Sequence, residues 1–272
     1  MKKTMKKSMV VTTIVMVLLL IVALSTATFA WYTSNNQANA TATELTSATS
    51  SSANIALGWS ATANTTSVTF EAGTGLVPMV PVWADSLSDA TNPGLPTKDT
   101  SAAPSFLSAT LQNNGGTYTF KENAGSATPW TQKEGNVSEG GTAATTLYAI
   151  NYNTAQSVTV EVTAEFATED EDKDISNMIR VAVVIGGKYI GTLGNGSMSY
   201  AKLAGTAWQG KTSSEATTTV ACDQKVSFTI DQAADANGEA VTVQLYAWID
   251  GVLLGDSLAG ATASFALTFT AA

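Results

Sequence analysis

The stretch QSVTVEVTAEFA, residues 156–167, alternates apolar and polar side chains without a break. Successive side chains of a β-strand point to opposite faces, so the alternation predicts a strand with one buried and one solvent-facing side. Val158, Val160 and Val162 lie on one side of it and Thr159 lies on the other. A half-buried strand of this kind is typical of an antiparallel sheet.

The same alternation recurs in three later segments, at residues 226–230, 241–249 and 263–269. The run 180–185, which is apolar after Arg180, is followed by Gly186-Gly187 and a second short run, which predicts a β-hairpin with a Gly-Gly turn. Helical periodicity is nearly absent after the N-terminus, apart from short turns predicted at 174–179. Many strands without βαβ spacing predict an all-β protein, specifically an antiparallel β-sandwich of jelly-roll type.

The first thirty residues have the layout of a secretory signal peptide, which predicts a signal helix ahead of the β domain. Lysines come first, and an uncharged, largely apolar run at 8–24 leads to small residues. Cleavage is predicted after Ala30 or after Ala40, because small residues occupy the last and third-last positions before each cut. An uncleaved leader would be long enough to serve as a membrane anchor. We therefore expect an extracellular or cell-surface protein that meets a signal peptidase during export and touches a membrane only through an uncleaved leader.

Composition divides the chain into three segments. Residues 1–30 are the signal peptide or membrane anchor. Residues 31–52 are rich in Thr, Ser, Ala and Asn with a single charge at Glu44, which predicts a flexible linker or an extended low-complexity arm. Residues 53–272 are predicted to form a single β-sandwich domain. That domain carries a loop-rich insertion at about 84–146, where Gly, Pro, Ser and Asn are frequent.

The missing residue types exclude several classes of chemistry. The chain has no histidine, which excludes Ser-His-Asp and Cys-His catalysis and His-ligated metal sites. Cys222 is the only cysteine, so no intramolecular disulfide can form. It follows a predicted strand and is interpreted as a small buried side chain, with a reactive thiol or an intermolecular bridge as alternatives. The net charge of −9 and the single arginine, Arg180, argue against nucleic-acid binding. We predict that the protein is not an enzyme.

One acidic run is a weak calcium candidate. Asp170, Asp172 and Asp174 have the alternate spacing of a calcium-binding loop. The match fails further on, because Ile175 takes the glycine position and Val181 takes the place of the bidentate glutamate. An ordinary solvated loop is the simpler interpretation, and no cofactor is expected.

Other polar and aromatic residues also leave two interpretations open. Asp250 and Asp256 either contribute to a cation site or lie in a plain hairpin loop. Glu161 and Glu165 share one strand face, where they either keep the protein soluble or form the carboxylate pair of a hydrolase. The six tryptophans either build a carbohydrate-binding platform or pack in the core.

Two short segments carry a family resemblance. Residues 28–33, Thr-Phe-Ala-Trp-Tyr-Thr, resemble the leader exit of the TasA/camelysin-like secreted proteins of Gram-positive bacteria, which a SipW-type signal peptidase processes. The strand end 243–251 resembles a pattern of exported clostridial proteins that share this leader, with Asp250 in place of their usual Glu. The resemblance implies a jelly-roll subunit of an extracellular fibre or matrix. Its N-terminal segment is implied to pair as a strand with the next subunit. The assembly arm then includes Trp31, Tyr32, Ile55 and Leu57.

Together these features predict a secreted structural subunit of extracellular filaments or a biofilm-type matrix that assembles through an N-terminal strand. Its expected partners are copies of itself or related matrix proteins. The alternative prediction is a cell-surface adhesin or carbohydrate-binding module.

Overall fold

The computed structural model describes residues 39–48, 55–62, 67–68, 78–89, 91–108, 112–114, 117–119, 130–133, 136–139, 147–168, 172–203, 213–253 and 262–272. The predicted leader, the cut site at Ala30 and the arm residues Trp31 and Tyr32 lie outside these residues, as do Asp170 and Asp256.

Strands dominate the described residues, which confirms the all-β prediction. The strands are β1 (Asn39–Ala48), β2 (Ile55–Gly58), β3 (Ser67–Val68), β4 (Pro78–Val82), β5 (Ser105–Ser108), β6 (Gln112–Asn114), β7 (Thr117–Thr119), β8 (Trp130–Lys133), β9 (Asn136–Glu139), β10 (Leu147–Asn151), β11 (Val158–Thr168), β12 (Ile179–Ile185), β13 (Lys188–Gly194), β14 (Ser197–Ala201), β15 (Thr217–Ala221), β16 (Lys225–Ile230), β17 (Glu239–Asp250) and β18 (Thr262–Ala271). A 3-10 turn at Ser176–Met178 and a four-residue helix, α1 (Ser213–Ala216), are the helical elements of this part of the chain. Neither is long and apolar enough to cross a bilayer.

Two large sheets organise the described strands. One has five strands in the order β16-β11-β18-β1-β3. The other has nine, with a main path β13-β12-β17-β10-β2 to which β4, β5, β8 and β9 are attached. Apolar side chains from both sheets belong to one core, including Val160 and Leu267 from the first and Val181 and Leu245 from the second. The two sheets therefore pack face to face.

The alternating segments form strands as their sequence predicts. In β11, Val158, Val160 and Val162 are buried, whereas Thr159 and Thr163 are exposed. The alternation holds along β16 and β18 as well, which flank β11 in antiparallel register. These three strands thus give the sheet one apolar face and one polar face.

The predicted Gly-Gly hairpin is also present. Gly186 and Gly187 have φ angles of +57° and +82° and connect β12 to β13 in antiparallel pairing. Positive φ at both central residues is the backbone that a tight hairpin turn requires, and glycine adopts it without steric cost.

Pairing is not antiparallel throughout, which corrects the sequence prediction. β1 runs parallel to β18, and β4 runs parallel to β17. Parallel neighbours need a long crossover between them. For β1 and β18 almost the whole chain serves as that connection, because they are the first and last described strands.

A second core lies on the other side of the nine-stranded sheet. Val181 and Val183 of β12 face the core between the sheets, whereas Ala182 faces the second core. The second core comprises Met79, Trp83, Ala182, Tyr189, Met198, Tyr200 and Trp248, with Leu95, Phe106, Val220, Cys222 and Tyr246 packed against it. Part of the predicted insertion therefore covers this sheet, which explains why β12 is apolar on both faces.

Candidate functional site

The N-terminal strand β1 occupies a slot between β18 and β3. Its parallel register with β18 extends from Asn39 opposite Thr262 to Ala48 opposite Thr270, with an irregularity between Ala42 and Glu44. On its other side β1 pairs with β3 over only two residue pairs. Among the described strands, β18 is therefore the main partner that holds β1.

The strand beside this slot belongs to the core of the fold. Phe265, Leu267 and Phe269 of β18 are buried between the sheets, and β11 pairs with β18 on the side away from β1. Removing β1 would leave one edge of a firmly anchored strand with unpaired main-chain groups. Such an edge is a template for pairing with another strand.

The structure redraws the predicted assembly arm. Residues 39–48 have the extended form, paired within their own chain. Ile55 and Leu57 do not belong to the arm. They lie in β2 of the nine-stranded sheet and are 2% and 0% exposed in the core. Their apolar character reflects core packing.

The predicted cut sites have different consequences for β1. Ala40 lies inside β1, opposite Ala263. Cleavage after Ala40 would remove the first two residues of this strand, whereas cleavage after Ala30 would leave all of it on the mature chain. The cut site would therefore decide whether the mature chain keeps all of β1.

Of the calcium candidates, Asp172 and Asp174 are both exposed. Asp174 accepts a hydrogen bond from the Ser176 amide at 2.9 Å, which places it at the start of the 3-10 turn. The side chain and backbone of Ser176 lower the pKa of Asp174. No group of three or more acidic or thiol side chains in the described residues is arranged to hold a metal ion.

The side chain of Arg180, the single arginine of the chain, is fully buried. Arginine is seldom buried unless its guanidinium has partners inside the protein. Its Nη1 donates to the carbonyl oxygens of Asn177 and Ile179, each at 2.8 Å, and its Nη2 donates to the carbonyl of Ser197 at 2.6 Å. The guanidinium therefore joins the segment before β12 to the start of β14. This arrangement makes Arg180 a structural clamp.

Asp250, at the end of β17, is buried and, like Arg180, is hydrogen-bonded to the backbone of β14. Its Oδ2 accepts the Ser199 amide at 2.6 Å and its Oδ1 accepts the Val252 amide at 3.1 Å. Burial raises the pKa of Asp250, while these amides and the positive charge of Arg180 act in the opposite direction. Asp250 thus fixes β14 to the end of β17, which is the role of a structural residue.

Cys222 lies beside the same cluster. Its thiol is half-buried against the second core, and burial raises its pKa to about 11. A thiol with this pKa is almost entirely protonated at neutral pH, and the protonated form is a poor nucleophile. The geometry fits the interpretation of Cys222 as a small packing side chain.

Comparisons with known proteins add no relative to this description. No protein-family model matches the chain, and neither the curated proteins nor the solved structures contain a match. What the chain does is therefore inferred from its own residues and their geometry.

Sequence reasoning missed the Arg180–Asp250 cluster, although two signals were present. Arg180 is the only arginine and directly precedes the apolar run 181–185. A charged residue in a doubly buried strand must find partners inside the protein, because an unpaired buried charge is costly.

Proposed function

We propose that this chain is a secreted structural subunit of extracellular filaments or a biofilm-type matrix and assembles by placing β1 in the slot of a neighbouring copy. Its partners are copies of itself or related matrix proteins. The proposal includes export through the N-terminal leader by a signal peptidase and a jelly-roll type of sandwich.

The observation that carries the proposal is the way β1 is held. It is the first described strand, it pairs in parallel with the last one, and β3 secures its other edge by only two residue pairs. Exchange of such a terminal element between copies is a low-cost route to assembly, since the contacts formed with a neighbour equal those lost within the chain. Exchange in one direction from copy to copy does not close and therefore builds a filament.

The composition of the chain is compatible with this role. Only 13% of the residues are charged, and histidine is missing from the whole sequence. The alternative, a carbohydrate-binding module, would need exposed coplanar tryptophans. Of the three tryptophans whose side chains the structure describes, Trp83 and Trp248 are buried and Trp59 is partly exposed, so no specific observation favours it.

A disulfide across the β1–β18 pair tests the proposal. Thr46 lies opposite Thr268 in the parallel register, at the spacing of neighbouring strands that a disulfide can bridge. The variant T46C/T268C, in a C222S background, is expressed as the full chain and collected from the medium. It is allowed to assemble and is then oxidised with glutathione disulfide. If β1 occupies the slot of the next copy, the new disulfides join neighbouring chains.

The expected result is a ladder of covalent multimers on a non-reducing gel, with filaments in electron micrographs of the same sample. The matched control is T46C/T163C. Thr163 pairs with Thr268 from the opposite side, so it lies two strands from Thr46, about 9–10 Å away and beyond disulfide reach. Monodisperse particles under all conditions, with the disulfide formed only within single chains, would sink the proposal.

A further inference from the structure

The edge strands β13 and β16 of the two large sheets differ in whether other segments of the chain cover them. At the edge of the nine-stranded sheet, the amide of Tyr189 in β13 donates to the carbonyl of Ser101 and its carbonyl accepts the amide of Asp99, both at 2.8 Å. Further along β13, Thr192 is hydrogen-bonded to Asp223. This edge is therefore covered by neighbouring segments of the chain.

The edge of the five-stranded sheet is open along β16. This strand pairs with β11 on one side, and no described residue pairs with its other side. Its six residues contain no proline and no bulge, and Lys225 at its beginning is the single charge within it. With one terminal lysine as its sole protection, such an edge keeps its main-chain groups available to pair with another strand.

The sequence around β16 is complementary to itself in antiparallel orientation. When two copies of β16 are related by a two-fold axis at Phe228, Lys225 of each copy lies opposite Asp231 of the other. Both residues are exposed, and they flank the strand at its two ends. Lys225 also donates to Glu161 of its own chain at 2.6 Å, but an exposed ion pair of this kind contributes little and leaves the ammonium group able to meet a second carboxylate. Opposite charges in directly opposed positions stabilise a strand pair.

The same register also matches the faces of the sheet. It pairs Val226 with Ile230 and Ser227 with Thr229 of the second copy, so buried side chains continue the apolar face and exposed ones continue the polar face. A shift by one residue would put apolar side chains opposite polar ones. A shift by two residues in either direction would separate Lys225 from Asp231 at both ends.

We propose that β16 is a self-association edge, at which two copies of this chain pair antiparallel about Phe228 and join their five-stranded sheets into one. This contact is isologous and does not use β1, so it stands apart from the proposed strand exchange. The seven residue pairs of this register bury less than the roughly 1,200 Å² of a stable interface. The dimer is therefore expected to be weak and to form at high protein concentration.

A charge swap tests the register. The full-chain T46C/T268C/C222S protein, kept at low concentration during oxidation so that β1 is fixed within each chain, is compared by sedimentation equilibrium with its K225E, D231K and K225E/D231K variants. Each single reversal is expected to weaken the dimer about tenfold, because the two-fold axis repeats the like-charge contact at both ends. The double variant is expected to return to within about threefold of the parent, since the charge pair is rebuilt with its signs exchanged.

The matched controls are K188E, which makes the same charge change at an exposed lysine at the start of β13, and E161Q, which removes the partner of Lys225 within its own chain. Each is expected to change the dimer less than twofold. Hydrogen exchange provides a second readout, in which amides of residues 225–231 become protected as the concentration rises. A parent that stays monomeric at millimolar concentration, or a double variant as weak as the single ones, would overturn the proposal. Either result would leave the strand-exchange proposal untouched.

Discussion

Replacing Arg180 by methionine is expected to destabilise this protein severely. Methionine keeps most of the aliphatic volume of the side chain but donates no hydrogen bond. The carbonyl oxygens of Asn177, Ile179 and Ser197 then lose the three bonds that the guanidinium donates, at 2.8, 2.8 and 2.6 Å. Asp250 also loses the positive charge that helps to keep its buried carboxylate ionised.

The size of the effect follows from these losses. A hydrogen bond from a charged donor contributes about 1.5–3 kcal/mol, and such contributions are not additive within one cluster. A buried acceptor that loses its donor costs about 1–3 kcal/mol, and R180M leaves three such carbonyl oxygens. We therefore expect R180M to lower the free energy of unfolding by about 4 kcal/mol. That is a large part of the 5–15 kcal/mol available to a typical domain.

Urea unfolding followed by tryptophan fluorescence measures this loss, because Trp83 and Trp248 are buried in the second core. With a urea m-value near 2 kcal/mol/M, the midpoint is expected to fall by roughly 2 M. The control K188M removes an exposed lysine and should change stability by less than about 0.5 kcal/mol. A loss below about 1 kcal/mol in R180M would refute the reasoning, since three buried carbonyl oxygens would then cost less than one unsatisfied acceptor is expected to cost.

Three further predictions concern the titratable groups. Burial raises the pKa of Asp250 above that of an unfolded chain. The free energy of unfolding of the native protein relative to D250N should therefore be greatest at acid pH and fall as the pH rises from about 4 towards 7. Urea titrations at several pH values measure this difference, and a relative gain in stability with rising pH would contradict the prediction. Because its pKa is raised to about 11, Cys222 should react with Ellman's reagent much more slowly than free cysteine at pH 8 and reach the rate of free cysteine only in urea. A fast reaction in the folded protein would show instead that the thiol is activated. Because Asp174 is engaged with Ser176, calorimetric titration with Ca²⁺ should show no saturable heat below millimolar concentration, and a D174N-sensitive isotherm would revive the calcium site.

The alternation of apolar and polar residues predicts those strands that have one buried face and one solvent-exposed face. β11, β16 and β18 are of this kind, and their alternation alone assigns them to a half-buried sheet. The sequence also predicts the Gly186-Gly187 turn, because few residues other than glycine adopt the positive φ angles of this turn. Both signals act over a few residues and need no knowledge of distant partners.

The missed features all depend on partners far away in the sequence. The composition of residues 39–48 does not indicate that β1 runs parallel to β18, a strand more than two hundred residues later. Ile55 and Leu57 look like an arm until β10 is placed beside them. Likewise, the role of Arg180 depends on the carbonyl of Ser197, which only the tertiary fold brings within reach.

The two proposed contacts lie on different parts of the same five-stranded sheet. β16 forms one edge, and β1 lies near the opposite edge, with β11 and β18 between them. Strand exchange through β1 repeats from copy to copy without closing, whereas pairing through β16 is two-fold and closes on itself. If both operate, filaments built by exchange are joined laterally in antiparallel pairs, so blocking β16 should leave single filaments and blocking β1 should leave only dimers. Electron micrographs of the D231K variant and of the cis-oxidised T46C/T268C/C222S protein therefore separate the two contacts.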